Sequence, residues 1–102
     1  MLENLNKSYE NLFDIISKLP KNADIFIKRI IIKQNEICKY YLKIYNNKND
    51  DDILEFKVSI KYILFLLKYF LDNKLINIDE YKLIENNYKK LYFDLKKLKK
   101  VV

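Results

Sequence analysis

The chain has 102 residues with a formal net charge of +6, and it contains no Gly, no His, one Pro and one Cys. The absence of His excludes a Ser/His/Asp triad, a Cys/His pair and any His-bearing metal site. The lone Cys38 excludes an intrachain disulfide and suits a reducing compartment. Long segments of helix-forming residues predict one all-α domain over residues 1–102. The first residues lack the basic start and apolar core of a signal peptide, so a cytoplasmic location is expected.

Two helices are predicted on either side of Pro20. Apolar residues spaced by three and four predict the first helix over residues 2–19. Asn22 is placed to cap the second, over residues 23–46. One side of the second helix is apolar, and the other side is basic. The basic residues of this region are Lys21, Lys28, Arg29, Lys33, Lys39 and Lys43.

Two isoleucines interrupt the basic side of the second helix. They are Ile25 and Ile32. An apolar residue in a charged face is either a chance exposure or a contact with another subunit. Both interpretations stay open at this point.

The third helix, predicted over residues 52–74, contains the most apolar stretch of the chain. Asp52 and Glu55 have the spacing of a capping box, which accounts for the adjacent aspartates without a metal ion. The few charged residues that follow lie in one narrow wedge of the helix. They are Lys57, Lys61, Lys68 and Asp72.

The remaining surface of the third helix is apolar in nearly every direction. Its lysines make it too interrupted for a membrane span, which needs about 20 predominantly apolar residues. It therefore requires cover from the other helices and from a second copy of the chain, and Phe65 and Tyr69 are candidate contacts in such an oligomer.

Asn77 and Glu80 predict another capping box, which opens a fourth helix over residues 78–100. One side of this helix is apolar. A separate stripe is basic and has Phe93, a further candidate oligomer contact, close to it. The stripe consists of Lys82, Lys89, Lys96 and Lys100. Four helices with short connections predict an antiparallel up-and-down four-helix bundle.

The positive charge belongs to the second and fourth helices. Residues 21–48 hold seven basic against two acidic side chains, and residues 77–102 hold seven against four. Nearly all are lysines, which lack the bidentate fork of arginine and suit phosphate backbones better than base edges. A solvated surface is the alternative, and lysines in a last helical turn are also favourable without any ligand.

The tyrosines divide into two groups. Those on inward stripes are expected in the core, and they are Tyr9, Tyr41, Tyr81 and Tyr88. Three others point less clearly inward and are candidates for stacking on nucleic-acid bases. These are Tyr40, Tyr69 and Tyr92.

Two stretches resemble a known family. They are YENLFDIISKLPKNADIFIKRI at residues 9–30 and IKYILFLLKYFLDNKLINIDEYKLIENNYKKL at residues 60–91. Both look like the Avd family, the accessory variability determinant proteins of diversity-generating retroelements. More distantly, they are similar to the four-helix proteins encoded in intervening sequences of ribosomal RNA genes.

Two landmarks carry this resemblance. The first is an aromatic residue or Leu before Pro-Lys and a basic helix, matched by Leu19, Pro20, Lys21, Lys28 and Arg29. The second is a Leu-rich helix, a basic residue, a break and a Tyr, matched by Leu64, Leu66, Leu67, Lys68, Leu75 and Tyr81. The chain departs from the family in having no Gly and no Trp, which family members often carry near their end.

The resemblance implies a basic protomer that assembles into a homopentamer. It implies binding to a reverse transcriptase and its template RNA, with no catalytic role. Separately from the resemblance, no cofactor and no membrane association are expected. The residues that it suggests as phosphate or polymerase contacts are Lys21, Lys28 and Arg29.

A protein-interaction module is the alternative function, in which the second helix docks an acidic partner without nucleic acid. An enzyme is not expected. No pair of carboxylates shares a buried face, and Ser8, Ser17 and Ser59 have no evident base.

Overall fold

The structure, a computed structural model, describes the backbone of residues 2–101 and the side chains of residues 2–97. Its elements are α1 (Leu2–Ile16), a 3-10 turn (Lys21–Ala23), α2 (Asp24–Asn46), α3 (Asp50–Asp72) and α4 (Ile78–Val101). No strand is present in this described part. The prediction of an all-α antiparallel four-helix bundle is confirmed.

The junction between α1 and α2 differs from the prediction. α1 ends at Ile16 because the next residues form tighter turns, with the Leu19 amide donating to the Ile16 carbonyl at 3.2 Å. A residue that precedes a proline is disfavoured in the helical region, so the chain leaves the helix before Pro20. The prediction that Asn22 caps α2 is wrong, since Asn22 lies within the 3-10 turn and the N-cap, Ala23, makes no side-chain hydrogen bond.

The third helix begins two residues before the predicted position. The cap is Asn49, whose side-chain oxygen accepts from the Asp51 amide at 2.8 Å, so the capping box proposed at Asp52 and Glu55 is wrong. All three aspartates then fall in the first turn, where the helix dipole favours negative charge.

The turn between α3 and α4 uses a left-handed residue that is not glycine. Lys74 has φ of 61°, and the Leu75 amide donates to the Phe70 carbonyl at 2.9 Å. This is the hydrogen-bond pattern of a Schellman motif. The predicted capping box follows and is confirmed. The Glu80 amide donates to Asn77 Oδ1 at 2.8 Å, and the Asn77 amide donates to Glu80 Oε1 at 3.0 Å.

The core lies between the four helices, and α1 contributes Leu5, Leu12, Ile15 and Ile16 to it. Its largest fully buried side chains include Ile30, Ile37, Tyr41, Phe56, Phe70, Ile84 and Tyr88. Tyr81 is half-buried. The prediction that Tyr9 is a core residue is wrong, because it is 38% exposed and its ring packs on Phe13 at the surface, with centroids 4.6 Å apart.

A buried polar chain crosses the core. The Tyr88 hydroxyl donates to Gln34 Oε1 at 2.6 Å, and Gln34 Nε2 donates to the Ser8 hydroxyl at 3.4 Å. These three residues come from α4, α2 and α1 and are almost fully buried. α2 and α4 therefore face each other across the bundle, with α3 packed against both.

Candidate nucleic-acid interface

Most basic residues of α2 are exposed on the side of the helix that faces away from the core. We call this the α2 basic face, and its exposed members are Lys28, Arg29, Lys39 and Lys43. Lys21 is exposed in the preceding turn. Lys33 is different, because it is half-buried, pairs with Glu36 at 3.0 Å and lies 5.4 Å from the Tyr62 ring centroid. Lys33 is thus partly neutralised within the protomer.

Tyr40 is the aromatic side chain of the α2 basic face. It is half-buried, and the ammonium groups of Lys39 and Lys43 lie 5.7 and 5.8 Å from its ring centroid. Both distances permit a cation–π interaction. The three side chains share a ridge along a single helix.

The lysine stripe of α4 is exposed as predicted, through Lys96. Lys82 and Lys89 pair with Glu85 at 3.3 and 3.6 Å. Lys96 lies 5.0 Å from the ring centroid of Tyr92. Lys100 lies outside the residues whose side chains are described.

Two lysines of α3 join this stripe, and they were not predicted as site residues. Lys57 lies 5.1 Å from the centroid of the same Tyr92 ring, and Lys61 is one turn further along α3. The sequence did contain a signal, since Lys57 and Lys61 are four residues apart in the charged wedge of an otherwise apolar helix. Their position beside α4 depends on how the helices pack.

An open groove of about 320 Å³ lies between α3 and α4. We call it the α3–α4 groove. Its floor consists of side chains that are buried or half-buried: Ile60, Leu64, Tyr88 and Tyr92. Its rim consists of Lys57, Lys61, Lys89 and Glu85. The arrangement suits a ligand that is anionic and also has a flat or apolar part.

The residues predicted as oligomer contacts are all exposed, but they do not share one surface. Phe65 and Ile25 are 73% and 65% exposed. Ile25, Ile32, Phe65 and Tyr69 lie on adjoining helices, where the Phe26 ring of α2 is 5.9 Å from that of Tyr69 in α3. We call these four the apolar patch.

Phe93 is exposed on α4, and its ring centroid is 5.0 Å from the Lys97 ammonium. α2 and α4 lie across the core from each other, so Phe93 is on a different helix from every member of the apolar patch. The role of these residues as oligomer contacts stays a prediction.

The core contains titratable groups whose environment suppresses their chemistry. Burial raises the pKa of the Cys38 thiol, so it stays protonated at neutral pH and is a weak nucleophile. Burial also raises the pKa of Tyr88, which keeps its hydroxyl as the donor to Gln34.

Within the described residues, no three carboxylate or thiol side chains come together as potential metal ligands. In the same part of the chain, no helix has the length and apolar character needed to cross a bilayer. Comparison with family models, curated proteins and solved structures gave no match to this chain.

Proposed function

We propose that this chain is a non-enzymatic, cytoplasmic accessory protein that forms an oligomer and binds RNA. By its resemblance to the Avd family, we further propose a reverse transcriptase as its protein partner and a pentamer as its assembly. The observation that carries the proposal is the α3–α4 groove, where lysines from two helices surround aromatic side chains.

Phosphate neutralisation is the proposed source of affinity. The rim holds three lysines and one carboxylate, so its net charge is +2, and that carboxylate, Glu85, pairs with Lys89 of the rim and with Lys82. Lysines along a cleft attract a phosphate backbone without selecting its sequence. The start of α2 and the turn before it, with Lys21, Lys28 and Arg29, are proposed as a second contact, for RNA or for the polymerase, and Tyr40, which lies further along α2, is not part of it.

Two exposed apolar surfaces support the proposed assembly. The apolar patch includes Ile32 on α2, and Phe93 lies on α4 at the far side of the protomer. A closed ring has head-to-tail interfaces, in which one surface of a subunit contacts a different surface of the next subunit. A protomer with apolar side chains on opposite sides meets this requirement.

Salt dependence tests the proposed mechanism. Fluorescence anisotropy with a labelled single-stranded RNA, between about 50 and 200 mM salt, is expected to show roughly a 50-fold loss of affinity if four phosphates are neutralised. Native mass spectrometry at the protein concentrations used for the binding measurement is expected to show an oligomer. A flat salt profile contradicts phosphate binding, and a single 12.5 kDa species at high concentration contradicts assembly.

The proposed polymerase partnership has a separate test. A reverse transcriptase gene and a near-repeat of a variable region are expected beside the gene for this chain. The tagged protein is expected to retain that enzyme on affinity purification. If the enzyme is encoded there and does not co-purify, the partnership is wrong.

A second candidate function is a module that docks an acidic protein. It is favoured by Ile25 and Ile32, which are exposed among the cations of the α2 basic face. Replacing Ile32 with Asp is expected to abolish such a complex while the circular dichroism spectrum stays helical. Unchanged complex formation would exclude this surface as the docking site.

A further inference from the structure

The α3–α4 groove is small and has a mixed character. Its volume of about 320 Å³ is at the low end of the range for ligand pockets, about 300 to 1,000 Å³. Its floor combines the rings of Tyr88 and Tyr92 with aliphatic side chains. The size suits one flat ring system, and the rim suits an anion attached to it.

Tyr92 is the accessible ring of this floor. Tyr88 is buried and donates its hydroxyl to the core, whereas Tyr92 is half-buried. The ammonium groups of Lys57 and Lys96 approach the Tyr92 ring from two helices, at 5.1 and 5.0 Å. Each is on a flexible side chain that can leave the ring when a better partner arrives.

We infer that the α3–α4 groove binds one unpaired base of a single-stranded nucleic acid, stacked on Tyr92, with the adjoining phosphates on Lys57, Lys61 and Lys89. This inference rests on the proposed function and locates the contact within it. A base has a flat face that stacks on an aromatic ring whatever its sequence. Lys57, displaced from the ring, then exchanges a cation–π contact for a charge-assisted contact with phosphate.

An acidic peptide fits this groove less well for a chemical reason. The floor presents the aromatic ring of Tyr92 beside the lysines of the rim. A nucleotide unit has a flat base for that ring and a phosphate for those lysines, whereas a carboxylate side chain leaves the ring without a stacking partner. The chemistry of the lining therefore favours a nucleotide unit.

Tyr40 provides a matched control. Like Tyr92, it is half-buried and has two lysine ammonium groups near its ring, at 5.7 and 5.8 Å, but it lies on α2, outside the groove. The variants Tyr92→Leu and Tyr40→Leu therefore make the same chemical change, each at a ring with two lysine ammonium groups nearby. Tyr92→Phe keeps the ring and removes only the hydroxyl, and circular dichroism checks that every variant is folded.

The experiment compares two probes, a short oligouridine and an abasic ribose-phosphate strand of equal length. The unmodified protein is expected to bind oligouridine about tenfold more tightly, since stacking contributes about 1 to 3 kcal/mol per base. Tyr92→Leu is expected to bind both strands with equal affinity. Tyr92→Phe and Tyr40→Leu are expected to keep the tenfold preference.

The remaining outcomes contradict the inference, and they distinguish a failure of base stacking from a failure of RNA binding. If the unmodified protein binds both strands equally and with salt dependence, RNA binding stands and base stacking fails. If it binds neither strand, the proposed function fails as well. Equal loss of preference in Tyr40→Leu and Tyr92→Leu, or competition by polyglutamate as effective as by oligouridine, excludes a base site in this groove.

Discussion

The two junctions that α3 makes with its neighbours have opposite characters. Toward α2, the junction is filled by large rings, with Phe26 lying 5.9 and 6.1 Å from Tyr69 and Phe70. Toward α4, the side chains leave an open groove with lysines on its rim. One helix thus presents bulky aromatic residues on one side and aliphatic and basic residues on the other.

This difference separates two proposed roles. The filled α2–α3 junction leaves apolar side chains on its outer surface, as a contact between protein subunits requires. The open α3–α4 junction places charge around a cleft, as an anionic ligand requires. Substitutions on the two sides should therefore affect different properties.

The largest effect is expected on the α2–α3 side. Phe65→Asp places a charge in the apolar patch, and we expect it to reduce the oligomer to a 12.5 kDa protomer by native mass spectrometry. The fold should be retained, because Phe65 is 73% exposed in the protomer. Leu83→Asp, at an exposed apolar residue on α4, is the control and should leave assembly intact. An unchanged mass for Phe65→Asp would remove the patch from the interface.

The next effect is expected at the groove. Lys57→Gln with Lys61→Gln removes two phosphate contacts, which should weaken RNA binding roughly 25-fold at about 0.1 M salt and lower the salt slope by about 1.4. The control pair, Lys28→Gln with Lys39→Gln, makes the same charge change on the α2 basic face and should have a smaller effect. A larger loss in the control pair would make α2 the main RNA surface.

A smaller effect is expected beneath the groove, in folding stability. Tyr88→Phe leaves the buried Gln34 Oε1 without its donor, which should cost about 2 kcal/mol in urea unfolding. Tyr81→Phe, at a half-buried position on the same helix, should change stability by less than about 0.5 kcal/mol. Combining Tyr88→Phe with Gln34→Leu should recover much of the loss. Equal costs for both tyrosines would mean that the buried hydrogen bond contributes little.

The smallest effect is expected at alkaline pH, where the buried Tyr41 of α2 ionises. Burial, with a further contribution from Asp94, raises the pKa of Tyr41 to about 12. The folded state keeps this proton where the unfolded chain, with a pKa of about 10, loses it. The free energy of unfolding that Tyr41 contributes through its proton is therefore complete below about pH 10 and is lost as the pH rises toward 12.

We therefore expect the urea midpoint to fall above about pH 10, and to fall less in Tyr41→Phe. All other titratable groups are the same in both proteins, so the difference between them isolates Tyr41. Identical pH profiles would show that Tyr41 titrates normally in the folded state.

The helices and most of the core could be predicted from the sequence, because periodicity within one helix determines which residues share a face. The capping box at Asn77 and Glu80 is equally local and was predicted correctly. The N-cap of α3 was predicted wrongly. Several neighbouring Asn and Asp residues are good caps, and the local sequence does not show that Asn49 is the one used.

The groove could not be predicted for a different reason. Its central contact joins Lys57 and Tyr92, which belong to different helices, and their approach depends on the longitudinal register of α3 against α4. Spacing along the chain identifies both residues as candidates for exposure or stacking. It does not identify them as neighbours.

Tyr88 belongs to two environments, and this has a consequence for how the groove binds. Its ring lies in the groove floor, while its hydroxyl is anchored to Gln34 of α2 on the other side of the core. The Tyr88 part of the floor is therefore held in place before any strand arrives, which lowers the entropy lost on binding. Affinity should then depend little on reshaping the bundle, so each subunit would offer an equivalent, ready-made receptor for one nucleotide.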